Sequence, residues 1–332
     1  MNLIKKIFLS AVMSAAALST FASDDDAFSY LPEFHGAIRS RWEADTRTGD
    51  QRFQVRNARL SIGGNVAPSI SYFFQTDLCD RGKIKILDAW GRLQITKGLL
   101  FQAGQFRMPF GVEAFYGPAN YYFSNLAFLA DQVMNYRAVG AKVGYTLPRT
   151  PLTLEFGAFN PTAIGEHNVW NRTLAYSGKA LMKFGDGWTV SAGYASIKPG
   201  ATRANLIDGY AGFNRGHWLV AAEYIWEHYC NRAYKDVHSY LIFADWHKAV
   251  DWGVFNRWSI QARFDGMTDH FSITQTGDVF DAARDRITVG STVSYKYKKV
   301  NADVRLNYEK YVKWDGEGKS PDRFVAELII HF

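Results

Sequence analysis

The sequence predicts an all-β fold, a transmembrane antiparallel β-barrel of roughly sixteen strands with a long third loop. Three observations carry this expectation. In the last twelve residues, Pro321 to Phe332, one face collects Phe324, Ala326, Leu328, Ile330 and Phe332, and the other collects Arg323, Glu327 and His331. Val325 and Ile329 interrupt the polar face. Segments of about ten residues with the same period-two pattern recur from residue 33 onward, separated alternately by tight turns and longer connections. Aromatics make up 16% of the chain although mean hydropathy is slightly negative, which suits an apolar belt around a polar interior better than a soluble core.

Residues 1–22 read as a secretory signal: Lys5 and Lys6, an apolar stretch from Ile7 to Leu18, and a small-x-small site at Thr20-Phe21-Ala22. Export followed by signal removal leaves residues 23–332 as one barrel domain, since no Pro/Gly/Ser-rich linker divides them. The cut has no cysteine for a lipid anchor, and no later run of about eighteen apolar residues offers a spanning helix. The mature charge, about +4 from +6 less two lysines, favours neither nucleic acid nor a strongly acidic partner. Cys79 and Cys230 fall on opposite walls of the expected barrel. A disulfide needs alpha carbons about 4.4–6.8 Å apart, so both thiols are expected free.

The first strand spans about 33–45, with Phe34, Ile38 and Trp42 opposite His35, Arg39, Arg41 and Glu43. In the second, about 51–65, the apolar phase slips between Val55 and Leu60, which places a bulge near Asn57. Further strands follow near 69–79, 84–96, 99–108, 137–147, 151–160, 172–185, 187–198, 205–214, 216–229, 236–247, 253–265, 285–296, 300–311 and 321–332. Asp186-Gly187 is a hairpin signal between two of them. An even count puts both mature ends on one side, with short turns there and long loops opposite. The longest connection, Pro109 to Tyr136, far exceeds a hairpin of two to five residues. So many aromatics, among them Tyr116, Tyr121 and Tyr122, are costly to leave in water. The loop therefore folds into the barrel or docks on a neighbouring subunit, and a small buried helix over Leu126 to Met134 fits either.

Several stretches resemble the phosphate-selective porin O and P family: V-R-N-A-R-L-S-I-G from Val55 to Gly63, L-D-A-W from Leu87, A-G-Q-F-R-M-P-F-G-V-E from Ala103 and Y-R-A-V-G from Tyr136. Weaker support comes from F-G-A-F-N at Phe156 and A-E-Y at Ala222. The resemblance implies a homotrimer of sixteen-stranded outer-membrane barrels, an infolded third loop acting as constriction, and basic residues laddered along the lumen for anions. It also implies basic residues in that loop, whereas from Met108 to Tyr136 this chain carries only Glu113 and Asp131 as charged groups.

Read strand by strand, the candidate basic pore lining is Arg39, Arg41, Arg59, Arg92, Arg107, Arg137, Lys142, Lys179, Lys183, Arg263, Arg286 and Arg305. The candidate constriction is Glu113, Tyr116, Tyr121, Tyr122 and Asp131. Glu43, Asp77, Asp88, Glu155, Glu223, Glu227, Asp265, Asp303 and Glu309 share the inward face, so the lining is not uniformly positive. The arginines either line the pore, pair with these carboxylates or bind lipopolysaccharide phosphates; rings of charge are how pores select. The expected function is an outer-membrane porin, a passive channel for small hydrophilic solutes with a mild anion preference. The alternatives are a sugar channel with aromatic third-loop residues as a stacking track, or a non-conducting barrel working as an enzyme or adhesin. Enzyme motifs are absent: there is no G-x-S-x-G and no H-E-x-x-H, and Gly318-Lys319-Ser320 lacks the glycine and helix of a phosphate loop. His228 and His238 flank one external loop and could meet a metal, but the eight histidines are scattered and no cofactor or metal is expected. The expected partners are solutes or anions, outer-membrane lipid and lipopolysaccharide.

Overall fold

The computed structural model describes residues 29–332 apart from 81, 162–168, 199–201 and 275–276, with backbone alone at 119, 272–274 and 277–279. The secretory signal lies outside the described residues. Eighteen strands are described: β1 (Glu33–Asp45), β2 (Gln51–Ala67), β3 (Ile70–Asp80), β4 (Lys83–Gln94), β5 (Leu99–Arg107), β6 (Arg137–Thr146), β7 (Leu152–Phe159), β8 (Ala175–Phe184), β9 (Trp188–Ile197), β10 (Ala204–Arg215), β11 (Trp218–Tyr229), β12 (Val237–Trp252), β13 (Phe255–Met267), β14 (His270–Thr274), β15 (Gly277–Asp281), β16 (Arg284–Tyr297), β17 (Val300–Trp314) and β18 (Arg323–His331). Sixteen of them close an antiparallel barrel, in which β13 pairs with β16 and β18 with β1, while β14 and β15 form a separate hairpin.

Period-two patterning sorts the side chains as the sequence predicts. Along β1, Arg39, Arg41 and Glu43 are buried inside while Phe34 and Ile38 are exposed outside. Ile242, Phe156, Leu306 and Leu328 continue the outer apolar belt on other strands, as a wall against lipid requires. The bulge falls at Arg56: Arg39 pairs with Asn57 but Ser40 pairs with Val55, and the skipped residue restores the apolar phase.

Two sequence expectations change, and the irregularity at Val325 and Ile329 finds its cause. The strand over 236–247 runs on to Trp252. The connection after β13 carries the β14–β15 hairpin, which was not anticipated. Val325 and Ile329 face inward and are fully buried, because the 3-10 turn Pro118–Asn120 of the third loop lies against β1 and β18. Apolar residues on an inward face mark where the loop rests. Both cysteines are free.

The seam between the first and last strands is closed by the chain's final residue. Gly36 N–H donates to the Phe332 carbonyl at 3.0 Å, and Phe332 N–H donates to the Gly36 carbonyl at 3.1 Å. The Phe332 ring lies over Gly36 so closely that a Cβ there would stand 2.4 Å from ring carbon Cζ. An aromatic ring laid on a glycine covers bare backbone across the strand pair.

Replacing Phe332 with Ala is expected to cost about 1 kcal/mol, because the ring is only half buried. Gly36→Leu is expected to cost more, since it displaces the ring and strains the seam. Urea midpoints in detergent, read by the loss of strand circular dichroism, check both; equal stability of either variant with the parent excludes the ring-on-glycine seam.

Candidate functional site

The third loop, residues 108–136, leaves the end of β5 and returns to β6 through the barrel interior. Its two buried turns, Glu113–Phe115 and Leu129–Val133, hold Ala114, Leu129, Ala130 and Val133 in an apolar cluster. From the wall, Leu206, Leu219, Ile225, Leu241 and Phe243 of β10, β11 and β12 join that cluster. Leu129–Val133 is a π-turn inside the stretch where a small buried helix is predicted. The aromatic residues are thus covered by the protein's own wall.

A loop buried in this way carries backbone carbonyls that water cannot reach, and each needs a donor. Arginines on the wall supply them. Arg39 Nη2 donates to the Ser124 carbonyl at 2.7 Å, and Arg263 Nη1 to that of Asn125 at 2.9 Å. Arg286 Nη2 donates to the Leu126 carbonyl at 2.8 Å, and Arg305 to that of Tyr121. The arginine charges are met from behind: Glu327 bridges Arg39 and Arg305, at 2.5 and 3.1 Å, while Arg286 binds Asp265 at 2.8 Å and Glu309 at 3.1 Å. Carboxylates and amides of the wall in turn accept the loop's N–H groups. Glu223 takes those of Val112 at 2.6 Å and Glu113 at 2.8 Å, Asp265 that of Phe128, and Asn307 Oδ1 that of Ser124.

The predicted lining therefore divides in two. Arg39, Arg41, Arg263, Arg286 and Arg305 face inward but lie beneath the loop, at most 5% exposed; their expected role as open lining is corrected by the loop that covers them. Arg41 bonds to Asn125 at 2.9 Å and Glu43 at 2.9 Å. Lys179 joins them, its Nζ donating to the Gly111 carbonyl and standing 3.8 Å over the Phe115 ring. Lys183 is exposed near the turn between β8 and β9. The loop is bonded or packed onto β8–β13, β16–β18 and β1; on the side from β2 to β7 its apolar cluster reaches Phe106, Ala138 and Phe159 at one end of β5–β7, with Trp90 of β4 against it, and the rest of that inward face, the free wall, carries none of the hydrogen bonds named above.

That free wall carries Arg59, Arg92, Arg107, Arg137 and Lys142. Arg59 pairs with Asp77 at 3.0 Å, Arg137 with Asp88 at 3.2 Å, and Lys142 with Glu155. Five cations thus meet three carboxylates. Arg92 bonds to the neutral Gln102, at 2.7 Å, with no carboxylate partner among the described residues, and stacks 4.6 Å over the Trp90 ring, which itself stacks on Phe73. Arg107 has a buried Nη1 without a hydrogen-bond partner among the described residues. The two cations sit at different heights, since Arg92 neighbours Gln102 and Arg107 lies five residues further along β5, on the order of 15 Å.

The motif stretches converge here. Asp88 of L-D-A-W meets Arg137 of Y-R-A-V-G, which pairs across the sheet with Arg107 of G-Q-F-R. Gly104 of the same stretch lets β5 approach β4; a Cβ there would stand 2.3 Å from the Ala89 carbonyl oxygen, and its φ of 131° excludes other residues. Of the predicted constriction residues, Glu113 is buried, and Tyr116 and Tyr122 are packed on each other and, through Tyr122, on Phe243 at 5.2 Å. Tyr121 lies under the Arg39 guanidinium at 4.9 Å, and Asp131 is exposed. His228 binds Asp236 and His238 binds Tyr224, and no group of three metal-ligating side chains occurs among the described residues.

At the long-loop rim, sequence reasoning missed a further tie. His270 of β14 lies between Glu227 at 3.3 Å and Asp281 at 3.8 Å, and Tyr229 Oη donates to the Phe271 carbonyl at 2.6 Å. Burial opposes a charge on this imidazole, but hydrogen bonds to Asp281 and Glu227 outweigh it and raise its pKa to about 9. The only signal in the chain was the alternation in H-F-S-I-T and G-D-V-F-D.

The family model for phosphate-selective porin O and P matches residues 39–222. Among curated proteins none matches. Similar solved structures include OmpF from Salmonella typhi in complex with daunomycin (TM-score 0.63, 16% identity, covering 91% of this chain and 97% of that one). Another is an anion-selective porin from Comamonas acidovorans (0.60, 14%, 91% and 98%). The trimer form of OmpT from Vibrio cholerae is a third (0.60, 15%, 92% and 100%).

Arg39→Met leaves the Ser124 carbonyl only the longer bond from Arg41 at 3.3 Å and removes one partner of Glu327. Breaking a buried pair in this way costs about 3–5 kcal/mol, and the expected result in planar bilayers is a noisier and larger conductance from a loosened loop; an unchanged trace would show that the loop is held without it. The His270 tie has a pH signature. Its folded pKa lies above the free value of about 6.5, so its stabilisation is complete below that value and is lost as pH rises through about 9. Protease cleavage within 270–281 is expected to rise between pH 8 and 10 in the parent and to be high throughout in His270→Gln; a flat profile in the parent contradicts the tie.

Proposed function

Because the chain belongs to the phosphate-selective porin O and P family and is an outer-membrane diffusion channel, we propose that its solutes pass along the free wall of β2–β7 with a mild preference for anions. The observation that carries this reading is the pair of cations on that wall without a carboxylate ion pair among the described residues, Arg92 and Arg107. Fixed charge in a narrow passage raises the local concentration of the opposite ion. The ion pairs beside them add little net field, and the arginines beneath the loop add less, because their partners neutralise them. Three copies assemble in the membrane, a reading supported by the trimer form of the similar OmpT from Vibrio cholerae. Residues 1–22 are removed on export.

Tight phosphate selection is not favoured, since the third loop offers no Lys or Arg between Met108 and Tyr136. A sugar track on the loop is not favoured either, because Tyr116 and Tyr122 spend their ring faces on each other and on Phe243.

The reversal potential of single channels in a potassium chloride gradient tests this. The parent is expected to favour chloride a few-fold, and Arg92→Gln with Arg107→Gln to abolish that preference, more clearly at 0.01 M than at 1 M salt because the screening length falls from about 30 Å to about 3 Å. An unaltered preference in the double variant refutes the assignment. Millimolar phosphate is expected to block the chloride current weakly; strong block would place a phosphate site on this wall.

A further inference from the structure

Two neighbouring rows of inward side chains on the free wall differ in chemistry. Phe73, Trp90 and Gly104 stand side by side on β3, β4 and β5. One step along the strands, about 7 Å nearer the short turns, Arg92, Gln102 and Lys142 do the same on β4, β5 and β6. Trp90 stacks on Phe73 with ring centres 5.5 Å apart. Beside the indole, Gly104 offers bare backbone, and its φ of 131° keeps a side chain out. The Arg92 guanidinium lies 4.6 Å over the indole ring, so the two rows meet there.

That guanidinium is held in one orientation. Its Nε and Nη2 both donate to Gln102 Oε1, at 3.0 and 2.7 Å, while the indole fixes its plane. These bonds engage the side of the fork and leave its end, Nη1 with the second hydrogen of Nη2, without a partner among the described residues. Lys142, the other cation of the row, is taken by Glu155. A single free fork thus stands beside a flat aromatic surface.

We propose that this corner of the wall is a subsite for flat aromatic monocarboxylates, solutes of the benzoate kind, on their way through the channel. A carboxylate matches the free end of the guanidinium with two parallel N–H···O bonds. Its ring then lies along the partly exposed indole and over Gly104, where a side chain would block it. Burial of ring area adds to the charge-assisted bonds, a contribution that acetate or chloride lacks. Charge number is set in the same place, because a second negative group would meet the neutral Gln102 and the Glu155–Lys142 pair rather than a free cation. Phosphate can use the fork but has no flat apolar body for the indole. Arg92 and Trp90 are thereby the residues that determine specificity at this step.

The inference rests on the reading that solutes pass along the free wall, and its test separates the two. Single channels of the full mature protein in planar bilayers carry potassium chloride while benzoate, acetate or inorganic phosphate is added, and the half-blocking concentration is read. In the parent, benzoate is expected to block at a concentration at least tenfold below that of acetate or phosphate. Arg92→Lys keeps the positive charge but loses the planar fork, and is expected to raise the benzoate value at least tenfold. Trp90→Leu is expected to raise it several-fold and to move benzoate more than acetate. Only channels that insert and conduct are scored, so a folding defect cannot pass for lost binding. Acetate or phosphate that blocks the parent as well as benzoate overturns the proposal, as does benzoate block that is equal in the parent and both variants. A parent without chloride preference in a salt gradient would count against the anion reading of the wall, and benzoate block retained in that channel would still support the subsite.

Discussion

The hydrogen bonds from wall arginines to the carbonyls of Tyr121, Ser124, Asn125 and Leu126 are the constraint on which the remaining architecture depends. A loop of nearly thirty residues placed inside a barrel takes its backbone out of bulk water, and every buried carbonyl then demands a donor. Arginine suits this demand because its fork of five N–H groups can serve a carbonyl and a carboxylate at once. Arg39 does so with Ser124, Asn57 and Glu327. The acids behind the arginines are therefore part of the same device. Without Glu327, Glu309 and Asp265 the buried guanidiniums would stand as uncompensated charges, a state costing several kcal/mol each.

Strapping the loop to one side makes the interior asymmetric. Apolar wall residues on β10–β12 pack under it, arginines on β1, β13, β16 and β17 grip it, and β2–β7 meet it chiefly at Phe106, Ala138 and Phe159, the remainder of their inward face being left to the passage. The same division explains why a chain with so many inward charges presents few of them to solutes. Most are consumed in holding the loop, and in the reading proposed above the field along the passage comes from the imbalance of five cations against three acids on the free wall. The residues of that wall are drawn from stretches far apart in the chain, Arg59, Asp88, Arg107 and Arg137, brought together by register alone.

Much of this was legible in the chain. Period-two alternation needs only the strand backbone to be expressed, so strand positions, the bulge beside Asn57 and the inward or outward sense of most side chains could be read directly. What alternation cannot express is depth beneath another segment. Arg39 and Arg59 occupy the same face of neighbouring strands and look alike in sequence, yet one is covered by the loop and the other is not. The apolar breaks at Val325 and Ile329 were the visible trace of that cover, though nothing local distinguishes them from irregularities. The β14–β15 hairpin stayed hidden for a different reason: two five-residue strands lie at the lower limit at which alternation separates from chance. The motif around Gly104 lies on this wall because the close approach of β5 to β4 there leaves little freedom of residue type.

The central claim, that the loop covers one wall and leaves the other open to solutes, is tested most directly by reagent access. In a background with Cys79→Ser and Cys230→Ser, Gln75→Cys places a thiol on the free wall and Asn307→Cys places one beneath the loop. A charged methanethiosulfonate added to single channels is predicted to change conductance within seconds for Gln75→Cys and to leave Asn307→Cys unmodified. Rapid modification of Asn307→Cys, with Gln75→Cys inert, would contradict the account.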